Sequence, residues 1–397
     1  MAISIENPAF WITVLLGLFA IGDIAAAATK AKLSSVFVAL MLALIGFLTG
    51  IFPPNFIDRA GLTAVATYAS AFLIFHMGTL IEIRQFIEQW RTVVLAVFSM
   101  IAVILLLGPI GPFLIGRAET LVSIPVVNGG IIATQIMVGG ASAKGYTLAA
   151  ALGALVYAIQ KFVGTPIASY FGVREAKKLV KLYREGKIKL QRSEASPERK
   201  YPGYHVIDYR KYQRYLTDFV LLAVSGVFAW LSMLLDSLTG LNYSIWALIL
   251  GIVVSYVGLL PNKVLELAKA SGWFMVVIFA SIIPSLAKVK VGDLLTLAYQ
   301  LTVVFVVSVA AVFIFLYIIP AWKLVGSRNL AVGIGVAQLL GFPATYLVAN
   351  EVANAVGETK EEKEVILQTI MPAYVIAGFA TVTTISIIIA GIFVSLL

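Results

Sequence analysis

The sequence predicts an all-α integral membrane fold, an inverted repeat of 5+5 transmembrane helices with two re-entrant hairpins. Three observations predict it. Hydrophobic residues make up 60% of the chain and charged residues 12%, with a mean hydropathy of +0.98, far from the composition of soluble domains. Apolar runs of about 17–25 residues recur along it, the length a helix needs to cross ~30 Å of hydrocarbon. Two further apolar segments, 119–143 and 328–352, are interrupted by Gly, Pro and Asn at the same place in each half.

The uninterrupted runs predict spans near 8–29, 33–52, 62–81, 92–115 and 146–171. After a polar stretch come 216–238, 243–260, 271–287, 297–320 and 366–396. The first run lacks a basic n-region and an A-x-A site, so it reads as a retained span and not a signal peptide. The halves also resemble each other: "FVALMLALIGFLTGIFPPNFIDRAG" (37–61) aligns with "IWALILGIVVSYVGLLPNKVLELAKASG" (245–272). The expected organisation is a first repeat over 1–172 with hairpin 119–143, a basic linker over 173–214, and a second repeat over 215–397 with hairpin 328–352.

Charge decides how the broken segments sit. If both are re-entrant, the short cytoplasmic connections carry Lys30, Lys32, Arg84, Arg91, Lys263, Lys269, Lys323, Arg328, Lys360 and Lys363, and the outer ones fewer, among them Arg59, Arg117, Lys288 and Lys290. If all twelve segments cross, the bias reverses. The positive-inside rule therefore favours five spans per half, the basic linker in the cytoplasm and both termini outside. Non-helical backbone at membrane depth is tolerated only where protein or a watery cavity satisfies it, which makes the two hairpins the principal functional signal.

Several function classes are excluded or disfavoured. There is no Cys, hence no thiolate chemistry or Cys-based metal site, and the two His cannot build a His-rich centre. The net charge of +9 does not indicate nucleic acid, because 13 of 29 Lys+Arg fall in 174–214. No nucleophile–base pair, phosphate loop or metal-ligand cluster points to an enzyme; no cofactor is predicted, and whether an ion is bound stays open.

The hairpin tips are "NGG" (128–130) and "GFPAT" (341–345). Half-helix ends and free amides at Asn128, Gly129 and Gly130 suit an anionic solute, and carbonyls there would suit a cation. Gln135, Gln338, Gly341, Pro343, Thr345 and Asn350 are candidates for lining the same cavity. Lys161, in "YAIQKFVGTP" (157–166), lies about ten residues, or on the order of 15 Å, before the helix end at Phe171. An ammonium at that depth costs several kcal/mol unless it meets a partner or water. Tyr157, Gln160, Lys161, Gly164 and Thr165 follow i, i+3, i+4, i+7, i+8 spacing and are expected to face the hairpins. Three readings of Lys161 stand side by side: a fixed charge replacing a coupling cation, a counter-ion for a substrate carboxylate, and an ion pair with Asp23. Gln160, Lys161 and Asp23 are the candidates for coupling or gating.

The chain resembles the bacterial sodium/glutamate symporter family and its relatives, the sodium/citrate carriers. The resemblance rests on "NGG" in the first hairpin, "VGTPIASYFGVRE" (163–175), "LLGFPATYLVANEVANAVG" (339–357) and "IMPAYVIAGF" (370–379). It implies secondary active transport of a small carboxylate or amino acid across the cytoplasmic membrane by an elevator-type cycle. It also implies Na+ as coupling ion and a homodimer in the lipid bilayer, with a scaffold and a moving domain that holds both hairpins. Lys161 in the place of a cation implies weak sodium dependence instead. The alternatives are a cation/proton antiporter and a membrane subunit of a decarboxylase-type sodium pump, both of which need acids near the hairpins.

Overall fold

A computed structural model of the protein describes residues 7–28, 35–80, 87–188, 209–341 and 344–397. The described residues are helical, without strands. Pro343, a candidate at the second tip, lies outside them, as do Lys30, Lys32, Arg84 and the 189–208 part of the basic linker. Among the described residues, seven helical stretches are long and apolar enough to cross a membrane: Pro8–Ala25, Trp90–Leu114, Thr147–Arg184, Asp218–Thr239, Ser271–Lys288, Val291–Ile318 and Lys360–Leu396. The protein is thus a multi-pass, membrane-embedded helical chain.

The first half runs α1 (Pro8–Ala28), α2 (Ser35–Leu48), a single turn α3 (Phe56–Arg59), α4 (Thr63–Thr79) and α5 (Trp90–Leu114). It continues with α6 (Arg117–Val127), α7 (Ile131–Ala143) and the 38-residue α8 (Thr147–Arg184). The second half repeats the order. It runs α9 (Asp218–Thr239), α10 (Tyr243–Val257), a single turn α11 (Val264–Leu267), α12 (Ser271–Ile282) and α13 (Leu294–Phe313). Then come α14 (Arg328–Leu340), α15 (Ala344–Val356), α16 (Lys360–Phe379) and, after a π-helical stretch Ala380–Ile385, α17 (Ser386–Leu396).

Local chemistry explains the boundaries. Thr217 caps α9, and Gly240 ends it in the left-handed region. Asn242 caps α10, which stops at Gly258 in the same conformation. Thr359 and Glu362 form a capping box at the start of α16. Three expected spans prove short: α2, α4 and α10 have 14, 17 and 15 residues. Pro53, Pro54 and Pro261 follow the first and last of these closely and break the chain there.

The helices pack as two bundles, each drawn from both halves. One contains α1–α4 and α9–α12, with α4 packed on α9, α10 and α12. Its tightest crossing joins Gly78 to Gly251: a β-carbon on Gly78 would lie 2.5 Å from the Leu248 carbonyl oxygen, and one on Gly251 would overlap that of Phe75. Small residues permit such backbone contact between membrane helices. The other bundle contains α5–α8 and α13–α17, so both broken segments and both closing helices belong to it.

Both broken segments fold back on themselves. A β-carbon on Gly153 of α8 would stand 2.7 Å from Val122 Cγ1 of α6 and 3.1 Å from Val138 Cγ2 of α7. In one continuous helix those valines would be about 24 Å apart. In the second segment, Gly333 of α14 abuts the Tyr374 hydroxyl, and Gly172 of α8 lies against both that hydroxyl and Val352 of α15. Gly333 and Val352 would likewise be about 28 Å apart in a straight helix. Each hairpin rests on both closing segments: α6 and α7 on α8 and α17, α14 and α15 on α8 and α16.

Candidate functional site

The first tip is built by close approach. α6 ends where Asn128 N–H donates to the Ile124 carbonyl (3.3 Å) and Gly129 N–H to that of Val126 (3.0 Å). Extended Gly130 then starts α7, and its carbonyl accepts from Thr134 N–H (3.1 Å) and Oγ1 (2.9 Å). A β-carbon on Gly129 would lie 2.6 Å from Ser386 Cβ, and one on Gly130 2.5 Å from Val382 Cγ1. The glycines are there because another helix presses on them. In the first turn of α7 the N–H groups of Ile131, Ile132 and Ala133 have no backbone acceptor among the described residues, as at any helix start.

The second tip meets the same valine. Gly341 has φ of +66°, a left-handed value that glycine adopts without strain, and a β-carbon on it would lie 3.0 Å from Val382 Cγ1. One methyl of Val382, in the π-helical stretch between α16 and α17, therefore separates the two tips. Thr345 lies beside Gly378, fully buried, and its hydroxyl has no partner among the described residues.

Unpaired polar groups gather at the first tip. Asn128 is fully buried, and neither its Oδ1 nor its Nδ2 has a partner among the described residues. Gln160 donates from Nε2 to the Gly129 carbonyl at 2.9 Å, while its buried Oε1 accepts nothing from a described residue. A buried polar atom left without a bond costs roughly 1–3 kcal/mol, so water or a solute that bonded these atoms would stabilise the tip.

Lys161 is the next residue on α8. It is partly buried and makes no hydrogen bond or ion pair with a described residue. Of the three readings of Lys161, the ion pair with Asp23 is not formed: Asp23 is exposed on α1. The polar stripe on α8 also divides. Gln160 and Gly164 face the hairpins, the latter against Leu339 and Leu340. Tyr157 instead faces α12 through Phe279 at 6.5 Å, and Phe162 faces α2 through Phe37 at 4.8 Å. Each i+4 step turns a helix by about 40°, so a stripe five residues long drifts off one face. Lys161 falls between these directions, where the hairpin bundle meets the other bundle. The remaining interface is formed by α12 and its following turn against α7 and α8, and by α10 against α17.

The other candidates are dispersed. Gln338 is fully buried and pairs with Ser99 of α5, whose Oγ lies 3.0 Å from Gln338 Oε1. Gln135 is partly buried with Oε1 unpaired. Asn350 donates back to the Tyr346 carbonyl of its own helix at 2.9 Å. Among the described residues the buried carboxylates are Glu175 and Glu362. Glu175 accepts from the Ser327 hydroxyl and, more distantly, from Lys178; Arg184 binds Glu362 at 2.7 Å and Glu358 at 2.8 Å. Glu175 stands fifteen residues along α8 from Gln160, about 22 Å. No group of three metal-ligating side chains occurs among the described residues.

Sequence reasoning missed Ser99, Tyr374 and Val382. None carries a local signal, because each matters only through a helix distant in sequence. No family model matches the chain, and no curated protein matches it at a significant level.

Proposed function

We propose that the protein is a secondary transporter that moves a small anionic solute, a carboxylate or amino acid, across the cytoplasmic membrane. The observation that carries this reading is Lys161: an ammonium without an acid partner among the described residues, next in sequence to Gln160, whose side chain bonds the tip that offers the Asn128 amide and unbonded backbone N–H groups. Donors and a fixed positive charge suit an anion, and the first turn of α7 adds a favourable dipole. The buried carboxylates that a cation carrier or a sodium pump would use at this depth are engaged elsewhere.

An inverted repeat with two re-entrant hairpins is supported by the doubled element order, by the fold-back at Gly153 and at Tyr374, and by the excess of basic residues on one side. In this reading the bundle of α5–α8 and α13–α17 is the moving part and α1–α4 with α9–α12 the scaffold, in a homodimer. The boundary beside Lys161 is where they slide. Lys161 takes the part of a coupling cation, so transport needs no sodium.

Thermal unfolding of the detergent-purified protein against small carboxylates, amino acids, neutral solutes and cations, with and without Na+, tests the proposal. A ligand that binds only the folded state raises its apparent stability. Stabilisation by one or more carboxylates, equal with and without Na+, is expected. Stabilisation confined to cations or neutral solutes would overturn the anion reading, and an absolute sodium requirement would overturn the role given to Lys161.

A further inference from the structure

Along α8, against the first arm of the second hairpin, runs an apolar groove of about 910 Å³ between α8, α13 and α14. Its floor is the stripe Ile159, Val163, Ile167 and Phe171, and its walls come from α13 and from Val332 and Val336. Along α8 the stripe covers twelve residues, about 18 Å, which is close to the depth of one leaflet, half of the ~30 Å hydrocarbon core. The groove opens outward, with Val306 61% exposed on its rim.

One end of the groove has a different chemistry. Phe171 packs there against Phe313 and Tyr317 at centroid distances of 6.4 and 6.1 Å. Above this cluster Arg328 lies 5.5 Å over Tyr317 and 4.9 Å over Trp322, and Arg174 lies 4.9 Å over Tyr170. The Ser327 hydroxyl donates to Glu175, so the two arginines are rooted on either side of a fixed contact. Both guanidiniums are exposed and neither is paired with a carboxylate among the described residues. The groove itself is lined without a charged side chain, so the two arginines stand just beyond its Phe171 end.

We infer that this groove is a binding site for an anionic glycerophospholipid from the leaflet on the side of the basic linker. One acyl chain fills the groove, and the headgroup phosphate meets Arg174 and Arg328 above the ring of Phe171, Tyr317 and Trp322. Aromatic residues mark the headgroup level of membrane helices, and basic pockets between helices select anionic headgroups. A guanidinium fork suits a phosphate, and its stacking on aromatic rings holds it in place. The inference needs only that the chain is membrane-embedded, and it stands apart from the transport reading.

Native mass spectrometry of the full-length protein, delipidated in detergent, tests it with phosphatidylglycerol and phosphatidylcholine of identical acyl chains. Phosphatidylglycerol adducts are expected to persist at several-fold lower lipid concentration. The double variant R174Q/R328Q should remove that preference, and Ala310→Trp, which fills the groove, should reduce binding of both lipids at least several-fold. Equal retention of the two lipids by the wild-type protein would overturn the inference, whether or not the variants fold. So would a preference unchanged in R174Q/R328Q, or a dimer without lipid adducts that Ala310→Trp dissociates, which would assign the groove to a second copy of the chain.

Discussion

Gln160 Nε2 donates to the carbonyl oxygen of Gly129 across 2.9 Å, joining the middle of α8 to the turn of the first hairpin. The bond holds the tip at the level of Lys161. Gln160→Leu leaves that buried carbonyl without its donor and should destabilise the protein by about 1–3 kcal/mol. It should also weaken carboxylate binding several-fold, which ligand-dependent thermal unfolding measures. Unchanged binding in a folded Gln160→Leu protein would remove the tip from the solute site.

Lys161→Met should separate binding from stability. A charged head group without a partner is unfavourable inside the bilayer, so its removal should raise the unfolding temperature of the ligand-free protein, by an amount on the order of 1 kcal/mol or more. The same change should abolish the stabilisation by carboxylates and uptake into proteoliposomes. Full uptake by Lys161→Met would reduce Lys161 to a packing residue.

Gly130→Val tests the close approach of the first tip to Val382. Even one β-carbon at Gly130 would lie 2.5 Å from Val382 Cγ1. Overpacking of this kind costs about 1–3 kcal/mol. Val382→Ala should restore part of that loss in the double variant, giving a coupling energy in a thermodynamic cycle. Strict additivity would mean that the two side chains do not meet.

Gly251→Val addresses the other bundle. The obstacle there is the Phe75 carbonyl, a backbone group that cannot rotate away. The expected loss is at least as large as at Gly130, and no single side-chain truncation on α4 should rescue it. Hydrogen exchange at the α4–α10 crossing should rise in the variant, while the hairpin bundle keeps its protection.

The hairpins were legible because Gly, Asn and Pro interrupt two apolar runs, and backbone breaks are written in local residue types. The single turns α3 and α11 fall in the two similar stretches 37–61 and 245–272, whose likeness spoke only for a repeat. The sorting of helices into two bundles was not legible, since each draws on both halves and contacts such as Gly78–Gly251 join residues far apart in sequence. Lys161 announced itself by charge in an apolar run. Its isolation from Asp23 did not, because that depends on how α1 packs. Gln338 and Asn350 look alike as polar residues in the second hairpin, yet one reaches Ser99 on α5 and the other bonds to its own helix.

The grip on α8 is uneven. Toward its far end the Tyr374 hydroxyl bonds the Ala168 carbonyl at 3.0 Å, Ser327 bonds Glu175, and Arg184 is clamped by Glu358 and Glu362. Around the tips the surfaces are mostly methyl groups and glycines, with the Gln160 bond as a single polar tie to Gly129. A rod fastened in this way behaves as a cantilever, stiff at its root and compliant where the solute would enter. Small openings between the tips can then occur by sliding of apolar contacts, without breaking the polar joints that keep the two closing helices together.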